Sequence, residues 1–166
     1  TKSGGMVDYG APAGNGGNAG FNAVNNAGLL VGTQYQIFSP FKAARATLGD
    51  TRSLTPMVVG GQFSSGMAMA VNEAGTIVGW HAPSGNGQPA IFVDDRTVEY
   101  LDVAQLGMNE GQALDINENG VIVGRMSGFD KDENQIGGAF VYVDKTMYDL
   151  SSLIEPASGA GWSMFF

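Results

Sequence analysis

The sequence contains no cysteine, one histidine and few basic side chains. Without cysteine the chain forms no disulfide, thiolate metal site or cysteine nucleophile. The single histidine, His81, leaves no two-histidine metal site, and any Ser-His-Asp triad would have to use it. With 8 Lys and Arg against 16 Asp and Glu, the net charge is −8. A nucleic-acid partner is therefore not expected, because an acidic protein repels a phosphate backbone.

Long hydrophobic runs are also missing. No apolar stretch approaches the ~20 residues of a membrane-spanning helix, so no transmembrane segment is expected. The first residues, TKSGG, show no secretory signal pattern, and if the protein is exported we expect its signal to have been removed. Hydrophobic residues make up 43% of the chain and charged residues 14%. This composition is too apolar and too weakly charged for disorder, so the chain is expected to fold.

The feature that is present is a segment that recurs three times, as FNAVNNAGLLVG, AMAVNEAGTIVG and ALDINENGVIVG. Each copy carries an NxxG motif, and successive motifs are 47 and 45 residues apart. The motif residues are Asn25 and Gly28, Asn72 and Gly75, and Asn117 and Gly120. Asn can initiate a turn by bonding the backbone that follows it, and Gly accepts the positive φ of a hairpin. The β-branched flanks predict a strand on each side, so each copy predicts a hairpin.

A second hairpin is predicted after each copy, in AARATLGDTRSL, AIFVDDRTVEYL and AFVYVDKTMYDL, which begin at Ala43, Ala90 and Ala139. Four short strands in every 45 to 50 residues predict an all-β, β-propeller-like array of about three four-stranded blades. A superhelical β-solenoid is the alternative, although its coils usually repeat at shorter periods. We expect one repeat domain over residues 1–166. Its units would span roughly 19–65, 66–110 and 111–166, with 1–18 as the remnant of a preceding unit.

The pattern AxxxNxxGxIVG, followed by an AF strand and an MxDL strand, resembles the HAF family of probable extracellular repeats of bacterial proteins. The third unit carries the fullest match, at Asn117, Gly120, Ala139, Phe140, Met147, Asp149 and Leu150. The first unit lacks the Phe after Ala43, and Ile91 replaces it in the second. The resemblance implies a propeller-like scaffold of a secreted protein, in an extracellular or periplasmic location, and no established activity.

Variable residues follow the repeated VG pair: Thr33 and Gln34, then Trp80 and His81, then Arg125 and Met126. Variation on a rigid framework is typical of recognition surfaces. We therefore predict Trp80, His81 and Arg125 as binding residues. The alternative for Trp80 is packing between blades, as for most large aromatic side chains.

An acidic loop in the third unit, FDKDENQIGG, places Asp130, Asp132 and Asn134 at alternating positions, a spacing found in calcium loops. An EF-hand is excluded, since Gln135 and Val141 occupy the positions of its Gly and its last acidic ligand. A simpler calcium site completed by backbone carbonyls and a solvated acidic loop both remain open. Calcium is the only cofactor that the sequence suggests.

These observations predict a non-catalytic binding or structural module that recognises a glycan, a protein or a surface. The alternative is part of a glycan-active propeller hydrolase with its site at the loop face. A hydrolase needs paired carboxylates, but the adjacent Asp94 and Asp95 stand in a predicted turn, where Asp is favoured for local hydrogen bonding.

The chain ends predict incomplete units. MVDYG, at Met6–Gly10, resembles the last strand of a preceding unit, and the C-terminal GAGWSMFF resembles the lead-in to a further hairpin. Three blades cannot close a ring, because propellers need about four to eight. We therefore expect either further repeats of a longer parent chain or self-association, with two copies forming a ring of six or seven blades.

Overall fold

A computed structural model describes residues 17–35, 39–50, 54–57 and 64–154. Within these ranges the chain forms twelve β-strands and two short 3₁₀ helices. The segment Met6–Gly10 and the C-terminal GAGWSMFF, which the sequence assigns to neighbouring units, lie outside the described residues.

The strands form three four-stranded antiparallel sheets, each with its strands in chain order. The first sheet contains β1 (Asn18–Val24), β2 (Leu29–Tyr35), β3 (Lys42–Thr47) and β4 (Thr55–Pro56). The second contains β5 (Ser65–Val71), β6 (Ile77–Ala82), β7 (Gln88–Phe92) and β8 (Val98–Tyr100). The third contains β9 (Glu110–Ile116), β10 (Ile122–Phe129), β11 (Gln135–Val143) and β12 (Thr146–Asp149). The 3₁₀ helices, Ala104–Leu106 and Leu150–Leu153, follow the second and third sheets.

The prediction of an all-β chain with four strands per repeat is confirmed at this level: three four-stranded antiparallel sheets pack together. Each sheet with its turns is called here the first, second or third unit. The first strand of each later unit lies against the unit before it: β5 packs on β1, β2 and β3, and β9 packs on β5, β6 and β7. The same junction therefore occurs twice in the chain.

Two kinds of glycine set the shape of each repeat. The turn glycines Gly28, Gly75 and Gly120 have φ values of 80°, 83° and 77°, which confirms the expected positive φ. The glycines of the VG pairs serve a different purpose that the sequence interpretation missed. A Cβ on Gly79 would collide with the carbonyl oxygen of Met67 on the paired strand, and the same backbone approach recurs in the other two units. The strands come this close at a bulge in each first hairpin.

The strand register corrects one sequence alignment. The expected equivalence of Ala43, Ala90 and Ala139 is wrong, because Gly79 pairs with Ala90 whereas Gly124 pairs with Phe140. Ala90 therefore occupies the place of Phe140, and Pro89 that of Ala139. At the position of Phe140, the second unit therefore has Ala90, and not Ile91 as the sequence comparison indicated. This register is defined by pairing with the repeated glycine on the neighbouring strand. A comparison of short sequence segments does not include that pairing, so it could not give the correct alignment.

Side-chain amides link the turns of successive units. Asn25 Oδ1 accepts from Leu29 N within its own turn, at 3.0 Å, while its Nδ2 donates to the Asn72 carbonyl oxygen at 3.0 Å. Asn72 repeats the pattern: Oδ1 accepts from Thr76 N at 2.9 Å, and Nδ2 donates to the Asn117 carbonyl oxygen at 3.2 Å. We call this series the asparagine ladder.

Carboxylates run alongside the asparagine ladder. The Glu73 carboxylate accepts from Asn26 N at 3.0 Å, and the Glu118 carboxylate accepts from Glu73 N, also at 3.0 Å. Each unit therefore satisfies backbone groups in the turn of the unit before it, which would otherwise need water.

Candidate binding site

A cleft of about 600 Å³ opens where the second and third units meet. Its lining residues come from β6, β9, β10, β11 and the loop before β7: Trp80, Gly87, Glu110, Gly111, Gln112, Arg125, Met126, Ser127, Gln135, Ile136 and Gly137. This volume falls in the usual range for small-molecule sites, ~300 to 1,000 Å³. Of the three predicted binding residues, the structure brings Trp80 and Arg125 to this cleft.

Trp80 supplies the aromatic surface of the cleft. It is half-buried in β6, where it pairs with Met67 on one side and Pro89 on the other. Its ring packs so closely against Gly87 that a Cβ there would lie 3.3 Å from Trp80 Cε3. Gly87 therefore gives the indole room, and any larger residue would displace it. The ring thus packs within its own unit and lines an open cleft, and packing between blades stays an alternative.

The third unit supplies the polar side of the cleft. Arg125 is exposed, and its Nη2 donates to Gln112 Oε1 at 2.9 Å across β10 and β9. Glu110 and Ser127 are the neighbouring pair in the same register. These four side chains therefore share one face of the third sheet, and they offer an amide, a hydroxyl and both signs of charge.

Hydrogen bonds across the junction hold the two walls of the cleft together. Gly111 N donates to the Gly87 carbonyl oxygen at 2.9 Å, and Gln88 Nε2 donates to the Asn109 carbonyl oxygen at 2.6 Å. Pro89 occupies the space beside Gly111, where a Cβ would lie 3.2 Å from the proline Cδ. One backbone hydrogen bond, one side-chain amide and a proline ring therefore join the two walls of the cleft.

The sequence interpretation did not single out Gln112, Glu110 or Gly87. For Gln112 a signal was present in the repeat itself: it stands just before the third copy of the hairpin, and its partner Arg125 stands just after the VG glycine. For Gly87 no local signal exists, because its role comes from the ring of Trp80 on the neighbouring strand.

His81 lies elsewhere. It is 3% exposed, on the face of β6 opposite Trp80, and its Nδ1 is 2.6 Å from Tyr100 Oη. Burial raises the pKa of the Tyr100 hydroxyl. His81 is not among the residues that line the cleft. Buried and bonded to Tyr100, His81 links β6 to β8, the edge strand of the same sheet. A binding role for His81 stays a prediction.

The acidic loop of the third unit is a tight turn closed by its own hydrogen bonds. Asp130 Oδ1 accepts from Asp132 N and from Asn134 N, both at 2.9 Å, and Asn134 Nδ2 also donates to this carboxylate. These bonds, led by the Asn134 side chain, lower the pKa of Asp130. Asp132 instead forms an ion pair with Lys131 at 2.6 Å. Calcium binding at Asp130, Asp132 and Asn134 stays a prediction.

The carboxylates Asp94 and Asp95 are engaged separately. Asp94 Oδ1 accepts from Arg96 N and Thr97 N, both at 2.7 Å, so it closes its own turn. Asp95 forms a two-pronged ion pair with Arg45 of the first unit, at 2.7 and 2.9 Å. Neither residue lines the cleft.

No protein-family model, curated protein or solved structure matches this chain. The resemblance to HAF repeats therefore stays a prediction. In the described part of the chain, no group of three or more His, Cys, Asp or Glu side chains is placed to hold a metal ion. Neither 3₁₀ helix there is long and apolar enough to cross a membrane.

Proposed function

We propose that this chain is a non-catalytic binding module that recognises a saccharide in the cleft between its second and third units. The observation that carries the proposal is the half-buried indole of Trp80, seated against Gly87 and facing a cleft with polar side chains. A sugar ring has apolar C–H faces and a rim of hydroxyls. It therefore suits an aromatic surface with amide and charged groups beside it.

The polar residues support the same ligand class. Gln112 and Glu110 offer acceptors for hydroxyl protons, and the Arg125 guanidinium offers several donors. The hydrogen bond between Arg125 and Gln112 orients both groups before a ligand arrives, which lowers the entropy cost of binding. The concave shape and volume favour a saccharide over a flat protein surface.

A binding role is favoured over hydrolysis by the count of carboxylates. Glu110 is the only carboxylate among the described residues that line the cleft. Glycoside hydrolysis generally requires two, separated by roughly 5 to 9.5 Å. The carboxylate pair considered from the sequence, Asp94 with Asp95, serves a turn and an ion pair instead.

The scaffold proposed for this function is an incomplete β-propeller of three blades in an extracellular or periplasmic protein. Four antiparallel strands per repeat, with each first strand packed on the preceding sheet, support the blade assignment. The net charge of −8 favours neutral saccharides or those with few acidic groups, because polyanions would be repelled.

The proposal is tested by titrating the full chain with soluble neutral and uronic-acid oligosaccharides while the fluorescence of Trp80 is recorded. The substitution Trp162→Phe removes the other tryptophan signal, since the chain has 2 Trp residues. We expect one of the oligosaccharides to shift Trp80 emission. Gln112→Ala should weaken binding at least about tenfold, because it removes a hydrogen bond worth ~1.4 kcal/mol or more. Trp80→Ala should weaken it by at least as much, and its binding is measured by titration calorimetry because it lacks the fluorescent indole.

Tyr148→Ala provides the matched control, because Tyr148 is a 40%-exposed aromatic of the third unit outside the cleft lining. It should bind as the parent does. If no oligosaccharide shifts the emission, or if Gln112→Ala binds with parental affinity, the cleft is not the saccharide site. Release of reducing ends during the titration would instead favour the hydrolase.

A further inference from the structure

The third unit presents an outer surface that its two predecessors bury. The repeat register makes Val31, Val78 and Val123 equivalent, since each occupies the same place before the VG glycine. Val31 and Val78 are both 0% exposed, whereas Val123 is 42% exposed. The first two valines are covered by the unit that follows them. The described residues supply no such cover for Val123.

The asparagine ladder stops at the same place. Asn117 Oδ1 accepts from Val121 N at 3.0 Å, as its equivalents do from the residue four positions on, and also from Asn119 N at 2.9 Å. Asn25 and Asn72 donate hydrogen bonds from Nδ2 to the next unit, and the two residues are 7% and 4% exposed. Asn117 is exposed, and among the described residues its Nδ2 has no acceptor.

The first unit presents the complementary surface. Val24 is 55% exposed, while its equivalent Ile116 is 8% exposed because it packs on the second unit. The carbonyl oxygens of Asn72 and Asn117 each accept a side-chain amide from the preceding unit. The Asn25 carbonyl oxygen, within the described residues, accepts only from Gly28 N. Within the part of the chain that the structure describes, one end of the array therefore has a spare donor, and the other a spare acceptor.

We propose that the outer face of the third unit binds the first unit of a second copy of this chain, in the geometry of the two junctions within the chain. Asn117 Nδ2 donates to the Asn25 carbonyl oxygen of the second copy, and Val123 becomes buried against its β1. This association is heterologous, head to tail, so it extends the asparagine ladder and either closes a ring or continues. It is independent of saccharide binding.

One residue makes this junction weaker than those within the chain. Asp115 pairs with Val123, at the position where Ala23 and Ala70 pair with Val31 and Val78. Asp115 is exposed, and docking would bring its charge toward an apolar surface at a cost in desolvation. The proposal therefore makes an unusual prediction, that removal of this charge strengthens self-association.

The test is light scattering and sedimentation of the full chain over a wide concentration range. We expect mass above the 17.2 kDa of one chain, rising with concentration. Asn117→Asp keeps the acceptor of the turn and removes the donor, so association should weaken about tenfold. Val123→Arg should abolish it, and Asp115→Ala should tighten it.

Two controls separate this contact from folding and from general surface effects. Asn72→Asp breaks the asparagine ladder within the chain, so it should lower the melting temperature and leave association unchanged. Val93→Arg alters another exposed valine, 60% accessible, near the turn between β7 and β8, and should change neither.

Two outcomes would overturn the proposal. The first is a 17.2 kDa monomer at every concentration. The second is association that persists unchanged in both Asn117→Asp and Val123→Arg.

Discussion

The two junctions within the chain share a backbone design and differ in what fills them. Both place an Asn amide and a Glu carboxylate across the turns. Among the described residues, the apolar cluster between the first and second units contains six buried residues, and the one between the second and third contains ten. The first junction adds the ion pair between Arg45 and Asp95. The same repeat can therefore be joined by a small apolar contact with added charge or by a larger apolar core.

The difference extends to the position after the VG glycine. In the first junction this residue is Thr33, 7% exposed, whereas in the second it is Trp80, half-buried beside an open cleft. This position therefore holds a small, nearly buried side chain in one junction and a large ring beside an open cleft in the other. We expect the size of this residue to influence how closely two units pack.

The largest expected effect comes from truncating the phenylalanine of each junction. Phe140 is 0% exposed in the larger cluster, and Phe92 is 4% exposed in the smaller one. Phe140→Ala should lower the free energy of unfolding by about 3 to 5 kcal/mol, since it removes buried area and leaves a cavity. Phe92→Ala should cost less, because fewer buried neighbours surround its cavity. Urea denaturation measures both, and an equal loss would mean that the junctions do not differ in this way.

A stabilising substitution is expected in the first junction. Thr33 Oγ1 is buried, with no hydrogen-bond partner among the described residues. Thr33→Val keeps the shape and removes the unpaired hydroxyl, so the free energy of unfolding should rise by about 1 to 2 kcal/mol. The control is Thr146→Val, at an exposed position of β12. If Thr33→Val instead lowers the free energy of unfolding, a residue outside the described ranges bonds this hydroxyl. The first junction would then be polar at this position, as the second is.

The smallest effect concerns two turns that lie apart from both junctions. Backbone hydrogen bonds, first from Arg96 N, lower the pKa of Asp94, and bonds led by the Asn134 side chain lower that of Asp130. A lowered pKa in the folded state means stability that is fully present above the unfolded value of 3.8 and lost as pH falls below it. Melting curves below about pH 4 should therefore fall less for Asp94→Asn with Asp130→Asn than for the parent. Identical pH profiles would show that these turns do not contribute to the loss of stability at low pH. We expect neither substitution to change the packing of the two junctions.

Local sequence was enough to predict the hairpins because their determinants are short-ranged. Asn25 and Gly28 act within four residues of each other, and the φ of 80° at Gly28 follows from a turn that the letters specify. Trp80 and Arg125, predicted as variable residues after a repeated glycine, both line the cleft. Gln112 and Gly87 were missed because their places there depend on neighbouring strands. His81, predicted by the same argument, does not line the cleft, since the strand turns its side chain to the opposite face.

The sequence by itself determined the period of the repeat, the four-strand unit and the turn chemistry, because each rests on alternation and backbone preferences within a few residues. Only the tertiary structure decided how the units meet. The second role of each asparagine, donation to the turn of the next unit, requires groups 45 or 47 residues apart to lie side by side. The alignment of Ala90 with Phe140, the burial of His81 and the opening of the cleft beside Trp80 likewise follow from strand pairing and sheet packing. These features depend on contacts between residues far apart in the chain, which the sequence of one repeat does not specify by itself.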